Sequence, residues 1–552
     1  MMKNKKSRGF STVEVAQFMV TFVVHGFLMC TSNTWAQSSL HLPNGVELHP
    51  KQELIRINGA EPESLDPAHS ESGVSQNILA DLYEGLTAID NRGNVVAGVA
   101  QSWKQTSPTT WIFHLRPNAT FSNGDPLRAQ DFVYSWQRFL DPKTASNYAN
   151  TFGVFILNGA EVIAGKLPAT ELGIKALDNH TLEVKTSVPV PFMLSLVSNP
   201  QFSPVDKAAI SKWGRDWTKA GHLVGNGAYL LKEWIVNGKI IVEKNPRYWE
   251  NAAVHLTRVT YLPIEDPNAA VKMFHAGEID WTVGLPPGAY AQLRATYPTE
   301  IRNSPLLALR YYALNNKDPL LKDVRIRQAM SMVIDRDLLV QKVMADGQIP
   351  QYGLIVKGVA GADVTAYDWA LWPMAQKVAQ ARKLLEQAGV ATGTKIRLMY
   401  NTNEYQKRMA VFLASEWKTK LGLDVEMETL ELRVLLEKLH DGSYQVSRAD
   451  WYADYNDATT FFSVVQCGGD QNVSGGCNQK ADDLVTQGNL SQDQNKRRTL
   501  ITQAVQMAME DYPFIPLSQS VMSRLVKSYV GGYSEANVYD RFRSKDQYII
   551  RH

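Results

Sequence analysis

Short runs of β-branched and aromatic residues alternate with amphipathic helical stretches along most of the chain, and no Pro/Gly-rich linker cuts the series into pieces. LIRING (54–59), TWIFHLRP (110–117) and KIIVEKNP (239–246) read as strands, because such side chains suit a pleated, half-buried surface. VRIRQAMSMVIDRDLLVQKVM (324–344) and QKVAQARKLLEQAGV (376–390) place apolar residues at i, i+3 and i+4, the spacing of a helix with one buried face. Gly389 stands where the second of these needs its C-cap. The alternation is not a regular βαβ series, so it predicts mixed α/β lobes joined by crossing segments rather than beads on a string. A chain of 552 residues also exceeds what one hydrophobic core holds, so two or three domains are expected. The turn-rich SNPQFSPVDK (198–207) and the strand-like LALRYYALNNKDP (307–319) have the character of exchange points between them.

Charge narrows the partners. With 57 basic and 55 acidic side chains, the chain carries no electrostatic footprint for nucleic acid or an anionic membrane surface. Only the N-terminus is locally basic: KNKKSR (3–8) precedes the apolar VAQFMVTFVVHGFLMC (15–30), and small residues at Thr34 and Ala36 fit cleavage before Gln37. This reads as a secretory signal peptide over residues 1–36. The apolar run is interrupted by Gln17 and His25 and is too short for a membrane span. Export leaves Cys467 and Cys477 as an even pair in an oxidising compartment. A disulfide closing the Gly-rich CGGDQNVSGGC is expected, contributing about 2–3 kcal/mol through loop closure.

Catalytic signatures are sparse. There is no G-x-S-x-G, and GNGAYLLK (225–232) has neither the third glycine of a dinucleotide fingerprint nor a Gly-Lys-Ser/Thr. The eleven histidines are scattered with no H-x-x-x-H pair, so no metal or other cofactor is expected. The densest polar cluster is RADWYADYND (448–457). Asp450 and Asp454 share a face at either helical or strand spacing, and two carboxylates beside an aromatic platform are what a glycosidase uses. On spacing alone, a turn residue and a surface charge outweigh that acid/base pair. The composition also suits a zwitterionic ligand. A carboxylate grips an ammonium group, Trp451 supplies apolar and cation–π contact, and Arg448 meets a carboxylate in bidentate fashion.

An ordered set of segments carries a resemblance: EPESLDP (61–67), DLYEGL (81–86), GVAQSW (98–103), WIFHLRPNATFSNGDPLRAQDFVYSWQR (111–138), GNGAYLLKEW (225–234), AGEID (276–280), DVRIRQAMSMVIDRDLL (323–339), RADWYADYND and YIIRH (548–552). In this set the chain resembles the family 5 extracytoplasmic solute-binding proteins of ABC transporters. The resemblance implies a three-domain α/β periplasmic binding protein fold, type II-like, in which two lobes close on the ligand. Domain I would comprise 37–83, 206–307 and 522–552, an inserted domain II 84–205, and domain III 308–521. It further implies a non-enzymatic, monomeric periplasmic protein that captures an oligopeptide and delivers it to an inner-membrane permease. A murein or otherwise modified peptide as ligand, or a sensor or chaperone role, are the alternatives. Asp454 would pair with the ligand ammonium, while backbone around Trp451 and Tyr452 extends the peptide like an added strand. Val74 and Ser75, in SGVSQN (72–77), would face it from the other side, and Tyr148 would contact it from the lid.

Departures from the family pattern fall at the far end of the ligand. Gln406 stands for a family histidine, Met344 for a lysine, Leu439 for an arginine and Leu432 for a tryptophan, and a Tyr-rich stretch is here SQSVMS (518–523). Tyr452 and Ala308 occupy the two positions at which relatives carry a disulfide. The grip on the ammonium end is therefore expected to be kept while recognition of the other end is changed.

Overall fold

The computed structural model describes residues 42–552 apart from 71 and 470; the signal peptide read in residues 1–36 lies outside them. LIRING contributes Glu53–Ile57, which runs parallel to Arg258–Leu262 and continues antiparallel through Lys239–Lys244 to Tyr229–Ile235. Alternation places Ile240 and Val242 on the buried face. A second, wholly antiparallel sheet orders Ala100–Ser107, Thr110–Leu115, Thr181–Lys185 and Ile174–Ala176. There Trp111, Phe113 and Leu115 share a core with Phe132, Trp136 and Phe139 of the helix Ala129–Leu140. Trp136 also donates its indole N–H to the Phe202 carbonyl at 2.8 Å.

The third sheet carries the site. Its order is Ile349–Pro350, Phe514–Leu525, Ile301–Leu314, Val446–Tyr452, Lys395–Asn401, Asp424–Leu430. Ile301–Leu314 is antiparallel to both neighbours and Lys395–Asn401 parallel to both of its own. The 14-residue Ile301–Leu314 and 12-residue Phe514–Leu525 form a ribbon spanning roughly 40 Å at strand rise. One end, Ile301 and Leu525, packs with Ile57, Phe274 and Ile279. The other, Leu309 to Leu314 and Phe514 to Leu517, enters a large core containing Met330, Trp417 and Phe461. Register shifts fall between Pro305 and Leu309 and between Arg310 and Tyr311, so the ribbon is bent where it passes between the cores.

Two helical expectations come out differently. Residues 376–390 form Met374–Gln387 with Gly389 at φ 70°, a left-handed C-terminal turn. Residues 324–344, expected as one helix, are split into Val324–Met332, Arg336–Leu338 and a π-helical turn Leu339–Met344. The physical cause is Arg336, whose side chain is fully buried. Its guanidinium donates to the carbonyls of Ser331, Ile334, Gln351 and Pro516 and to Ser331 Oγ, at 2.7–3.1 Å. Two of those carbonyls end the first helix, so the arginine replaces the turns that would have continued it. Burial draws its pKa down to about 10, and Asp335 starts the next segment by accepting from the Leu338 N–H at 2.9 Å. Cys467 and Cys477 are joined in a disulfide, and the Cys467 N–H donates to Asp482 at 3.1 Å.

Arg336→Met keeps volume but orphans these buried acceptors. We expect a loss of about 3–5 kcal/mol in chemical denaturation; a loss under about 1 kcal/mol would show that the carbonyls find other partners.

Candidate functional site

Val446–Tyr452 brings RADWY to the cleft by strand alternation. Arg448, Asp450 and Tyr452 take one face and Ala449 and Trp451 the other. Across the ladder, Tyr312, Arg310 and Ala308 stand opposite Arg448, Asp450 and Tyr452. Ala308 and Tyr452, the two positions read as departures from a crosslink, are thus directly paired. On its other side the strand pairs only at Val446 and Ser447, so among the described residues no strand lies against that edge from Arg448 to Tyr452. An unpaired edge is a template for an added extended chain.

The loop beyond the strand is pinned. The Ala453 N–H donates to the Leu307 carbonyl at 2.9 Å, and the Ala458 N–H to that of Ala360 at 2.8 Å. Asp457 caps the helix Ala458–Phe462, accepting from the Thr459 N–H at 3.1 Å. It also receives two bonds from Arg497, at 2.8 and 2.7 Å, with the side chains 4% and 2% exposed. Gly361, at φ +83°, passes so close that a Cβ would lie 2.5 Å from Arg497 Nη1. Tyr455 stacks on Phe192 with centroids 3.8 Å apart and meets Phe155 edge-on.

Two cavities meet at this loop and share Tyr452, Asp454 and Tyr455. One, of ≈ 570 Å³, is also lined by Val74, Tyr148 and Arg541; the other, of ≈ 550 Å³, by Asp450, Trp451 and Thr460. Six residues singled out from the sequence are thereby brought together: Val74, Tyr148, Asp450, Trp451, Tyr452 and Asp454. Ser75 and Arg448 line neither cavity. Ser75 lies in the helix Gly73–Leu82, fully buried. Its N–H is bonded to Ser72 Oγ (3.2 Å) and its hydroxyl donates to Glu63 (2.8 Å). The Val74 carbonyl accepts from Asn58 Nδ2 at 3.2 Å. Arg448 donates through Nε to Asn401 Oδ1 (2.8 Å) and lies 3.1 Å from Asp450.

The two aspartates differ in electrostatic surroundings. Asp450 stands between Arg448 and Arg310, whose Nη1 is 3.5 Å away and whose guanidinium lies over the Tyr405 ring at 4.9 Å. Asp454 has no cation within ion-pair distance among the described residues. Although open to the cleft, it is crowded enough by protein that its pKa is raised from the ordinary carboxylate value. The Thr460 hydroxyl, too loosely placed for a hydrogen bond, draws it partly back. Of the residues read as departures, Met344, Leu439 and Gln406 are buried and Leu432 is exposed, and none of these four lines either cavity, whereas Tyr452 lines both and Met522, in SQSVMS, lines the larger. Sequence reasoning missed Arg310, Tyr455 and Arg541. Only the strand register, which places Arg310 opposite Asp450, could have pointed to the first.

A cleft between separately cored α/β parts, walled by aromatic rings and an unneutralised carboxylate, defines a protein that holds a solute. The family model for bacterial extracellular solute-binding proteins, family 5 Middle, matches residues 94–472, and the chain belongs to that family. It is 39% identical over 537 residues to the periplasmic oligopeptide-binding protein OppA of Salmonella typhimurium, covering 96% of this chain and 99% of that one. Among solved structures, the unliganded open form of the murein tripeptide binding protein MppA is 37% identical with TM-score 0.87, covering 92% of this chain and 99% of that one. Another structure of MppA, from Escherichia coli, has the same 37% identity and covers 92% and 100%, but has a TM-score of 0.72.

Arg497→Met would leave Asp457 buried without its counter-ion and destabilise the protein by about 3–5 kcal/mol. Adding Asp457→Asn should recover part of this, since the amide needs no counter-ion and still caps the helix. A double variant no more stable than Arg497→Met would show that the unpaired charge is not the source.

Proposed function

We propose that this protein captures peptides with a free amino terminus in the cleft at Asp454 and hands them to the permease of an ABC importer, from the periplasmic side of the membrane. The observation that carries the reading is Asp454 itself, a cleft-lining carboxylate without a cation at the end of a strand with an open edge. An incoming ammonium would supply the missing charge through a charge-assisted hydrogen bond. The peptide main chain would add along Arg448 to Tyr452, with Trp451 lining the second cavity and Tyr148 covering the first. OppA and MppA, whose names describe peptide binders, lend the ligand class. Among the described residues no helix is long and apolar enough to cross a membrane, in keeping with the exported form read from the N-terminus.

The division into domain I (37–83, 206–307, 522–552), domain II (84–205) and domain III (308–521) is supported by the cores. One cluster is drawn from Ala68 and residues 86–202, one from residues 307–517, and two from residues 54–83, 205–301 and 525–549. The better match to the unliganded open form, at equal identity, favours an open arrangement here. A glycosidase pair is disfavoured because Asp450 is engaged by two arginines. Arg448, occupied by Asn401 and Asp450, is likewise poorly placed to read a ligand carboxylate unless Asp450 releases it.

Calorimetry with defined peptides tests the reading. Asp454→Asn should weaken a free-amine tripeptide by about 100-fold or more, since one partner of a desolvated charge pair is lost. The N-acetylated peptide should be affected little; equal loss for both would remove the ammonium from the argument. Because the free-state carboxyl of Asp454 is raised, its attraction for ammonium is present at neutral pH. It is lost as pH falls through that raised pKa, earlier than for an unperturbed carboxylate. Affinity should decline on acidification in the wild type but not through this group in Asp454→Asn; parallel pH profiles would refute the assignment.

A further inference from the structure

Three charged residues line the larger cavity: Asp454, Asp540 and Arg541. Asp540 is paired with Arg524. Neither Asp454 nor Arg541 has an ionic partner among the described residues, and no ion pair joins them to each other. Arg541 is adjacent in sequence to a carboxylate it does not use. Asp540 adopts φ 54°, a left-handed conformation that aspartate tolerates, and its side chain turns to Arg524, whose guanidinium is buried over Trp281 and Phe542. The backbone beyond is held by Asn537, whose amide donates to the Arg541 carbonyl at 2.7 Å.

The Arg541 guanidinium is oriented but not neutralised. Its Nη2 donates to Gln76 Oε1 at 2.7 Å and to Asn199 Oδ1 at 3.3 Å. Both acceptors are neutral amides, one on the helix Gly73–Leu82 and one on the turn before Pro200–Phe202. A guanidinium carries five donors in a planar fork, so amide contacts at one nitrogen leave donors for a guest. Burial pushes its pKa down, with Tyr539 and Tyr148 partly offsetting this. A desolvated cation whose positioning bonds are both neutral gains strongly from an incoming carboxylate.

We propose that Arg541 is the receptor for an acidic group of the ligand, so that the cleft takes a molecule with an ammonium group for Asp454 and a carboxylate for Arg541. Leu307, Tyr452 and Val538, on the wall of the same cavity, would cover the apolar body between them. This assignment rests on the peptide-binding reading above and adds to it a requirement for negative charge. The carboxylate is that of the peptide terminus or of an aspartate or glutamate side chain, and both present the same two oxygens to the fork.

The test is calorimetric titration of full-length mature protein, wild type and Arg541→Gln, with trialanine, trialanine amide, alanyl-glutamyl-alanine amide and N-acetyl-trialanine. Wild type should bind at least one free-amine, carboxylate-bearing peptide about tenfold or more tighter than trialanine amide. A preference for trialanine assigns the terminus, and one for the glutamyl amide assigns the side chain. In Arg541→Gln that preference should vanish, while the preference for trialanine over its N-acetyl form, which reports Asp454, persists. Equal affinity of the wild type for the three free-amine peptides, or an undiminished preference in Arg541→Gln, overturns the assignment and leaves the peptide reading standing. Absence of binding of every probe to the wild type overturns both. Arg541→Lys, which keeps the charge without the fork, should reduce the preference only in part. Should the glutamine variant fail to fold, an unchanged preference in the lysine variant overturns the assignment.

Discussion

The pairing of Ile301–Leu314 with Phe514–Leu525 is the constraint on which the rest of the molecule hangs. Its ladder is anchored in one core at Ile301 and Leu525 and in another at Leu309 to Leu314, so the same two strands both join the cores and template the sheet that holds the site. Val446–Tyr452 takes its register from Ile301–Leu314. A slip of one residue there would turn Arg448, Asp450 and Tyr452 into the core and bring Ala449 and Trp451 out. Position in the cleft is therefore inherited from strand pairing, and the loop that follows needs only its two ends fixed.

Electrostatics then divides the carboxylates by neighbour rather than by spacing. Asp450, Asp454 and Asp457 lie within eight residues, yet one stands between two arginines, one faces the cleft without a cation, and one is buried against Arg497. A buried pair such as Asp457–Arg497 adds little net stability compared with an apolar pair of the same shape. What it does supply is a fixed direction for the chain, because neither group tolerates separation from the other. The loop between it and the Ala453–Leu307 bond can then present Asp454 without needing much packing of its own.

How far the sequence could be read followed the range of each interaction. Mixed α/β lobes, the strands at 54–59, 110–117 and 239–246, and the helix ending near Gly389 rest on local periodicity and came through. The break at Val333–Asp335 did not, because it depends on Arg336 meeting carbonyls as distant as Pro516. Asp454, Trp451, Tyr452 and Tyr148, singled out by their match to a family pattern, line the cleft. Ser75 failed to reach the cleft because a serine capping network took both its N–H and its hydroxyl. Arg541 was invisible because its distinguishing property is the absence of an ionic partner among the described residues, and its sequence neighbour Asp540 supplies an apparent one. Asp540 takes a left-handed conformation and pairs with Arg524 instead.

On the proposed reading, the unpaired charges also determine what closure requires. In an open cleft both Asp454 and Arg541 still meet water on one side, so the cost of leaving them without partners is limited. Closing the lobes on an empty site would remove that water and leave a carboxylate and a guanidinium desolvated and apart, a cost that opposes closure. A ligand that carries one charge for each reverses the sign of that term. It therefore binds the closed state more tightly than the open one, which is the condition for a ligand to shift such an equilibrium at all. A ligand matching only one of the two charges would shift it less, so recognition and closure would be set by the same two side chains.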